Sequence, residues 1–99
     1  MLEVDEQNFE SETNSGIVLV DFYTTWCGPC RMMIPTLEKL TDVKVVKVNA
    51  YANKQLAVKH NIISVPTFFL MKDGNIVERF SGLVTKEQIQ TKIDAIKNN

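Results

Sequence analysis

The sequence predicts an α/β fold with a mixed β-sheet at its centre and helices on both faces. Short runs of β-branched and aromatic residues alternate along the chain with segments of helical periodicity. The last two of these runs are joined by a tight turn and followed by a final helix. The chain has 99 residues, of which 44% are apolar. Since this suffices for one hydrophobic core, we expect a single domain over residues 1–99.

The first half of the chain contains a predicted helix, strand and helix. A short helix is expected over residues 8–12, and residues 17–23 form a nearly continuous apolar run. Such a run is typical of a strand buried on both faces, in which the carboxyl group of Asp21 is anomalous. The next helix contains Pro35, which should kink it. Its apolar residues recur at i, i+4 and i+7 and are Met33, Leu37 and Leu40.

Two strands with a short helix between them are predicted next. The strands cover residues 43–48 and 67–71, and the helix covers residues 54–60. Asn61 tolerates the left-handed conformation that often ends a helix. These segments continue the alternation of strand and helix.

The chain is predicted to end with a hairpin strand and an amphipathic helix. The Lys-Asp-Gly-Asn turn at residues 72–75 connects the preceding strand to another over residues 76–80, which indicates a hairpin. The final helix should begin after Thr85, because Thr85 and Gln88 have the spacing of a capping box. Its apolar residues again follow helical spacing and are Ile89, Ile93 and Ile96.

The charge and hydropathy of the chain argue against two classes of partner. Its 11 basic and 12 acidic residues give a formal charge of −1, which provides no positive field for nucleic acid or an anionic membrane surface. No apolar run approaches the ~18 residues of a membrane-spanning helix. The first residues are acidic and polar, unlike a signal peptide. We therefore expect a cytoplasmic monomer that binds neither nucleic acid nor membrane.

The spacing of Cys27 and Cys30 favours a reactive or metal-binding pair over a structural disulfide. A bridge across three positions constrains the unfolded chain weakly, so such a pair is typically catalytic or metal-binding in a reducing compartment. Both cysteines lie where a strand passes into a helix, and the unpaired N–H groups at a helix start favour a thiolate. We expect an exposed Cys27 to attack a substrate disulfide and a shielded Cys30 to resolve the mixed disulfide. Gly28 and Pro29 shape the turn between them.

Other interpretations are open at this point. Zinc requires four ligands, and beyond the two cysteines the chain offers only His60, which is remote in sequence and expected to be a surface residue at a helix end. An iron–sulfur cluster shared between two chains would use the same thiolates. Asp21 could be a satisfied buried carboxylate without a role. In a binding module or chaperone-like subunit, the cysteines would be incidental.

The run Trp26-Cys27-Gly28-Pro29-Cys30 resembles the active-site signature of the thioredoxin family. Further features match that family in order and spacing through nearly the whole chain: Val20-Asp21-Phe22, Pro35, Val65-Pro66-Thr67, the turn at residues 72–74 and Gly82. The resemblance implies the thioredoxin fold, with the order β-α-β-α-β-α-β-β-α, and an oxidoreductase that reduces protein disulfides. It also implies no bound cofactor, with electrons supplied by NADPH through a flavin-dependent thioredoxin reductase.

The resemblance also implies roles for residues around the cysteines. Pro66 would follow a cis peptide bond and lie against the sulfurs, while the backbone of Val65 would bind an extended substrate segment. Asp21 would exchange a proton with Cys30 through water, since burial raises the pKa of a carboxyl group, and Lys47 would be its partner. The docking surface would consist of Trp26, Gly28, Val65, Pro66 and Gly82.

Two positions depart from the family pattern. Tyr23 stands where many members have a second tryptophan, and we expect this change to be neutral packing. Tyr51 stands where an aspartate commonly meets the indole of the active-site tryptophan, so the N–H group of Trp26 lacks that partner. Gly28 and Pro29 accompany reductases in the family and favour the reducing direction, although an oxidant or isomerase would use the same thiols.

Overall fold

A computed structural model describes residues 1–97, so the last two residues of the predicted domain lie outside the described part. The elements follow the predicted order β-α-β-α-β-α-β-β-α. They are β1 Leu2–Val4, α1 Phe9–Thr13, β2 Ile17–Tyr23, α2 Gly28–Glu38, β3 Lys44–Asn49, α3 Lys54–Lys59, β4 Thr67–Lys72, β5 Asn75–Ser81 and α4 Lys86–Lys97. The sequence located the strands β2 to β5, the helices α1 and α3 and the start of α4 to within a few residues. It gave no bounds for α2, and β1 was supplied only by the family order.

The five strands form one mixed sheet in the order β1-β3-β2-β4-β5. Strands β1, β3 and β2 are parallel, whereas β4 and β5 are antiparallel to their neighbours. The parallel pair β2 and β3 requires a crossover, which α2 provides. The predicted mixed sheet is therefore confirmed, and the apolar run of β2 is explained by its central position.

The sheet separates two hydrophobic cores. One core lies with α1 and α3 and contains Phe9, Val18, Val20, Phe22, Leu56 and Phe69 among others. The other lies with α2 and α4 and contains Leu19, Met33, Leu37, Phe68, Leu70, Ile89 and Ile93. Because side chains alternate along a strand, Asp21 is on the same side of β2 as Leu19, which is the side that α2 covers. Among residues 1–97, no helix is long and apolar enough to cross a membrane.

At the C-terminal end of α3, one expectation is confirmed and one is wrong. Asn61 has a positive φ of 55°, as its position after the helix predicted. His60, expected to be an ordinary surface residue, instead packs its ring against three phenylalanine rings, with centroids 5.2 to 6.1 Å away. Burial is the main cause that lowers the pKa of His60, with Lys59 and Arg79 acting in the same direction.

The capping box of α4 has the predicted geometry. The backbone N–H of Gln88 donates to Thr85 Oγ1 at 3.1 Å, and that of Thr85 donates to Gln88 Oε1 at 3.0 Å. Replacing Thr85 with alanine should lower the free energy of unfolding by about 1 kcal/mol, since one helix N–H loses its partner. Urea unfolding measures this loss. Thr91→Ala makes the same change within α4 and should cost less; an equal loss would contradict the capping role.

Candidate functional site

The two cysteines form a disulfide at the start of α2. Cys27 is the N-cap residue, and its Sγ accepts a hydrogen bond from the backbone N–H of Cys30 at 3.1 Å. Pro29 follows in the first turn, where a missing N–H costs no helical hydrogen bond. The Cα atoms of the cysteines are 5.2 Å apart. An N–H group directed at this sulfur is suited to stabilise the thiolate once the bond is reduced.

The expectation of an exposed Cys27 is wrong for the disulfide form. Cys27 is 8% exposed and Cys30 is 4% exposed, so both are buried. The reason is that the Val65 loop covers the bond: the Val65 carbonyl oxygen lies 3.7 Å from Cys27 Sγ. A disulfide sulfur has no hydrogen to donate, so this is a contact in the oxidised protein and becomes a possible hydrogen bond after reduction.

Three of the predicted docking residues lie in two connected loops next to this bond. The Val65–Pro66 peptide bond is cis, as the resemblance implied. The Pro66 carbonyl accepts a hydrogen bond at 3.0 Å from the N–H of Gly82, whose φ of 80° suits glycine. Trp26 is 64% exposed beside the cysteines. The structure therefore brings Val65, Pro66 and Gly82 together near Cys27, and their part in substrate binding stays a prediction.

A small cavity connects Asp21 with the buried cysteine. It has a volume of about 160 Å³, and its lining includes Asp21, Thr24 and Cys30. Asp21 is 1% exposed. Within the described residues, Asp21 Oδ1 and Thr24 Oγ1 are buried without a hydrogen-bond partner. A cavity of this volume has room for a few water molecules, and buried polar atoms of this kind are the groups that such waters bind.

The environment of Asp21 raises its pKa from 3.8 to about 7. Burial is the largest cause, because it disfavours the charged carboxylate. Lys47 opposes this effect, and the negative charge of Glu3 adds to it. Lys47 lies opposite Asp21 in the register of β2 and β3, as expected. No salt bridge joins the two side chains within residues 1–97, and Lys47 Nζ is instead 4.4 Å from the centroid of the Tyr23 ring.

Tyr23 and Glu3 are site residues that the sequence did not reveal. The Tyr23 hydroxyl donates to Glu3 Oε1 at 2.8 Å, and Glu3 lies opposite Lys47 in the register of β1 and β3. Tyr23 is among the residues that line the cavity, and its ring contacts the Lys47 ammonium. That its replacement of a tryptophan is neutral stays a prediction. Glu3, Lys47 and Asp21 form a row across three adjacent strands. The pairing of β1 with β3 adds Glu3 to this row.

We expect Glu3→Gln to lower the pKa of Asp21. The substitution removes a negative charge that opposes ionisation of Asp21 and keeps an oxygen that accepts from Tyr23. Titration of the Asp21 carboxyl carbon by NMR measures this change. Glu10→Gln removes the same charge from an exposed residue of α1, on the other side of the sheet, and should leave the titration unchanged. An unchanged Asp21 titration in Glu3→Gln would show that Glu3 has no influence there.

The Trp26 ring contacts Tyr51, the residue that stands where an aspartate is common in the family. The Tyr51 ring meets it edge-to-face, with centroids 5.2 Å apart, and Lys54 Nζ lies 4.8 Å from the Tyr51 centroid. No hydrogen bond from the Trp26 indole is present within residues 1–97. In the same range, no three side chains of histidine, cysteine, aspartate or glutamate are grouped so as to bind a metal ion.

Comparison with known proteins identifies relatives across almost the whole chain. The model of the thioredoxin family matches residues 1–95. A thioredoxin from Bacillus subtilis (strain 168) is 37% identical over 95% of this chain and 95% of its own length. One from Chlamydia pneumoniae is 43% identical over 92% and 93%. The structure of a thioredoxin mutant from Halobacterium salinarum NRC-1 superposes with a TM-score of 0.87 at 33% identity, covering 95% of this chain and 88% of that one.

Proposed function

The chain belongs to the thioredoxin family and is a protein-disulfide oxidoreductase, and from this premise we propose how its own residues carry out the exchange. The observation that carries the proposal is a Cys27–Cys30 disulfide at a helix start, above a cavity that reaches a buried carboxyl group. A binding module with incidental cysteines is not favoured. Proteins with disulfides are the substrates, and a reductase is the partner, as in the family generally.

The reaction takes place between sulfur atoms only. The Cys27 thiolate attacks one sulfur of the substrate disulfide and forms a mixed disulfide, and the other substrate sulfur leaves as a thiolate that takes up a proton. Cys30 then loses its proton and attacks Cys27 Sγ. The Cys27–Cys30 bond forms, and the second substrate thiol is released. Two electrons have passed from the protein to the substrate. The N–H of Cys30, 3.1 Å from Cys27 Sγ, supports Cys27 as the attacking thiolate.

Asp21 is the proposed proton acceptor for Cys30. Both side chains line the same cavity, so a proton can pass between them through water. Burial raises the pKa of Asp21 to about 7, which suits a group that accepts and returns a proton near neutral pH. Lys47 lies next to Asp21 and limits how far that pKa rises.

The substrate is proposed to bind as an extended segment across the loops beside the disulfide. Val65 would supply backbone groups to it, as in the addition of a strand to a sheet. The exposed ring of Trp26 would form one side of the surface, with Gly28, Pro66 and Gly82 around the bond. Pro29 is proposed to keep the turn between the cysteines rigid, which affects the reduction potential.

The protein is proposed to work as a cytoplasmic monomer without a bound cofactor. A flavin-dependent thioredoxin reductase would return it to the dithiol form with electrons from NADPH. The formal charge of −1 gives no reason to expect nucleic acid or membrane among its partners.

The test uses the double variant Cys27→Ser and Cys30→Ser. A disulfide-bonded test protein such as insulin is incubated with NADPH, a thioredoxin reductase and either form of this protein. The unmodified chain should reduce the test protein over many turnovers, and the double variant should show only the background rate. Equal rates would refute the proposal and favour the binding module.

A second experiment measures the reduction potential of the Cys27–Cys30 couple by equilibrium titration against a thiol buffer, read by Trp26 fluorescence. This potential gives the direction of electron flow.

A further inference from the structure

A groove next to the disulfide combines apolar walls with a single positive charge. It extends from Trp26 to the start of α3 and has a volume of about 270 Å³. Val65, whose carbonyl contacts Cys27 Sγ, lies in its wall, so the groove is continuous with the reactive bond. Ile63, also in the wall, is 95% exposed. A polypeptide held in this groove would therefore reach Cys27.

Aromatic contacts hold the positive charge close to Trp26. Tyr51 meets the Trp26 ring edge-to-face at 5.2 Å, and the Lys54 ammonium lies 4.8 Å from the centroid of Tyr51. The Asn49 side chain accepts a hydrogen bond from the backbone N–H of Tyr51 at 3.0 Å, which fixes the loop that carries this ring. A cation over an aromatic face is attracted to it, so Lys54 has a preferred position at the groove wall.

Lys54 differs from the paired lysines of this protein. Among the residues that line the groove, it is the only charged one. It makes no ion pair within residues 1–97, whereas Lys44, Lys92 and Lys97 each contact a carboxylate. Where many family members place an aspartate, this chain has the uncharged ring of Tyr51. No carboxylate is among the residues that line the groove. The Glu6 carboxylate lies at the start of α3, where it accepts a hydrogen bond from the backbone N–H of Leu56 at 3.2 Å. The lining of the groove is therefore complementary to a negative charge.

We propose that this groove selects disulfide-containing proteins in which an extended segment beside the reactive cysteine carries a carboxylate for Lys54 and an apolar side chain for Ile63. This proposal rests on the proposed function and specifies the substrate class for it. Lys54 and Tyr51 are then specificity-determining residues. Lys54 is exposed, and exposed ion pairs contribute modestly, so the preference should be about three- to fivefold in kcat/KM. It should diminish with salt, which screens exposed charges.

The test compares two disulfide-bonded peptides that differ only in glutamate or glutamine beside the reactive cysteine. The ratio of their kcat/KM values cancels any general effect of a variant on activity. For the unmodified chain the ratio should be about three to five and approach one in 1 M salt. Lys54→Gln should abolish the preference, Lys54→Glu should reverse it, and Tyr51→Asp should weaken it. Lys59→Glu makes the same charge change at the other end of α3 and should retain the ratio.

The outcomes separate this proposal from the proposed function. A ratio near one in the unmodified chain at low salt would overturn the acidic preference, and so would equal effects of Lys54→Glu and Lys59→Glu. A separate assay follows the reduction of bis(2-hydroxyethyl) disulfide by the unmodified chain and by Lys59→Glu. This compound is small and neutral, so the assay tests the redox step independently of binding in the groove. If the unmodified chain reduces neither that compound nor the disulfide-bonded test protein, the proposed function fails first. If the chain does reduce them, the ratios of kcat/KM for the two peptides alone decide whether the groove prefers a carboxylate.

Discussion

Replacement of Cys30 by serine is expected to stop turnover without stopping the first attack, so that this variant accumulates as a mixed disulfide with its substrate. Cys27 would still have the helix-start N–H directed at its sulfur and would still attack. A serine hydroxyl cannot complete the exchange, because resolution requires a second thiolate. Turnover should fall by several orders of magnitude, as with removal of a nucleophile elsewhere. Mass spectrometry without reductant should detect one substrate chain attached per molecule.

The matched control is Cys27→Ser, which leaves Cys30 as the only thiol. Both cysteines are buried in the disulfide form. Cys27 is the N-cap residue, whereas Cys30 lies inside the first turn of α2 and lines the cavity beside Asp21, so a protein disulfide should reach Cys27 and not Cys30. This variant should lose turnover to the same extent but form little adduct. If Cys27→Ser gave the adduct and Cys30→Ser did not, the two roles would be reversed. If both variants gave equal adduct, position at the helix start would not distinguish the cysteines.

The elements and the reactive pair could be predicted because their signals are local. Apolar periodicity locates α2 and α4, and the capping box gives the start of α4 to the residue. The cysteines could be placed at a helix start because a buried strand precedes them and Pro29 follows in the turn. Asp21 was identified by contrast, as one carboxyl in an apolar strand. In the folded protein, Asp21 and Cys30 line the same cavity.

Contacts between distant segments could not be predicted in the same way. The Glu3–Tyr23 hydrogen bond depends on the pairing of β1 with β3, and β1 has only three residues and no clear pattern. The burial of Cys27 depends on the Val65 loop, 38 residues later in the chain. The contact of Tyr51 with Trp26 likewise depends on how two loops meet. Such contacts follow from tertiary packing, which leaves no periodic signal in the sequence.

Asp21→Asn is expected to stabilise the oxidised protein above neutral pH. The folded state holds the carboxyl proton up to a pKa of about 7, whereas the unfolded chain releases it near 3.8. Stability from this group is therefore lost as the pH rises from about 4 to 7, and the loss amounts to about 4 kcal/mol. Asparagine does not ionise. The variant should exceed the unmodified protein by about this free energy of unfolding at pH 8, and the difference should disappear below pH 4.

Urea unfolding across this pH range, at a fixed redox state, measures the difference. Glu10→Gln removes an exposed carboxyl on α1 and should not reproduce the dependence on pH. A difference in the free energy of unfolding between Asp21→Asn and the unmodified protein that is independent of pH would mean that packing, and not ionisation, causes it.

The same substitution removes the proton acceptor for Cys30, so release of the mixed disulfide should slow by about a hundredfold at pH 7. A gain in stability together with slower release would mean that the fold tolerates a buried carboxyl group because the reaction uses it.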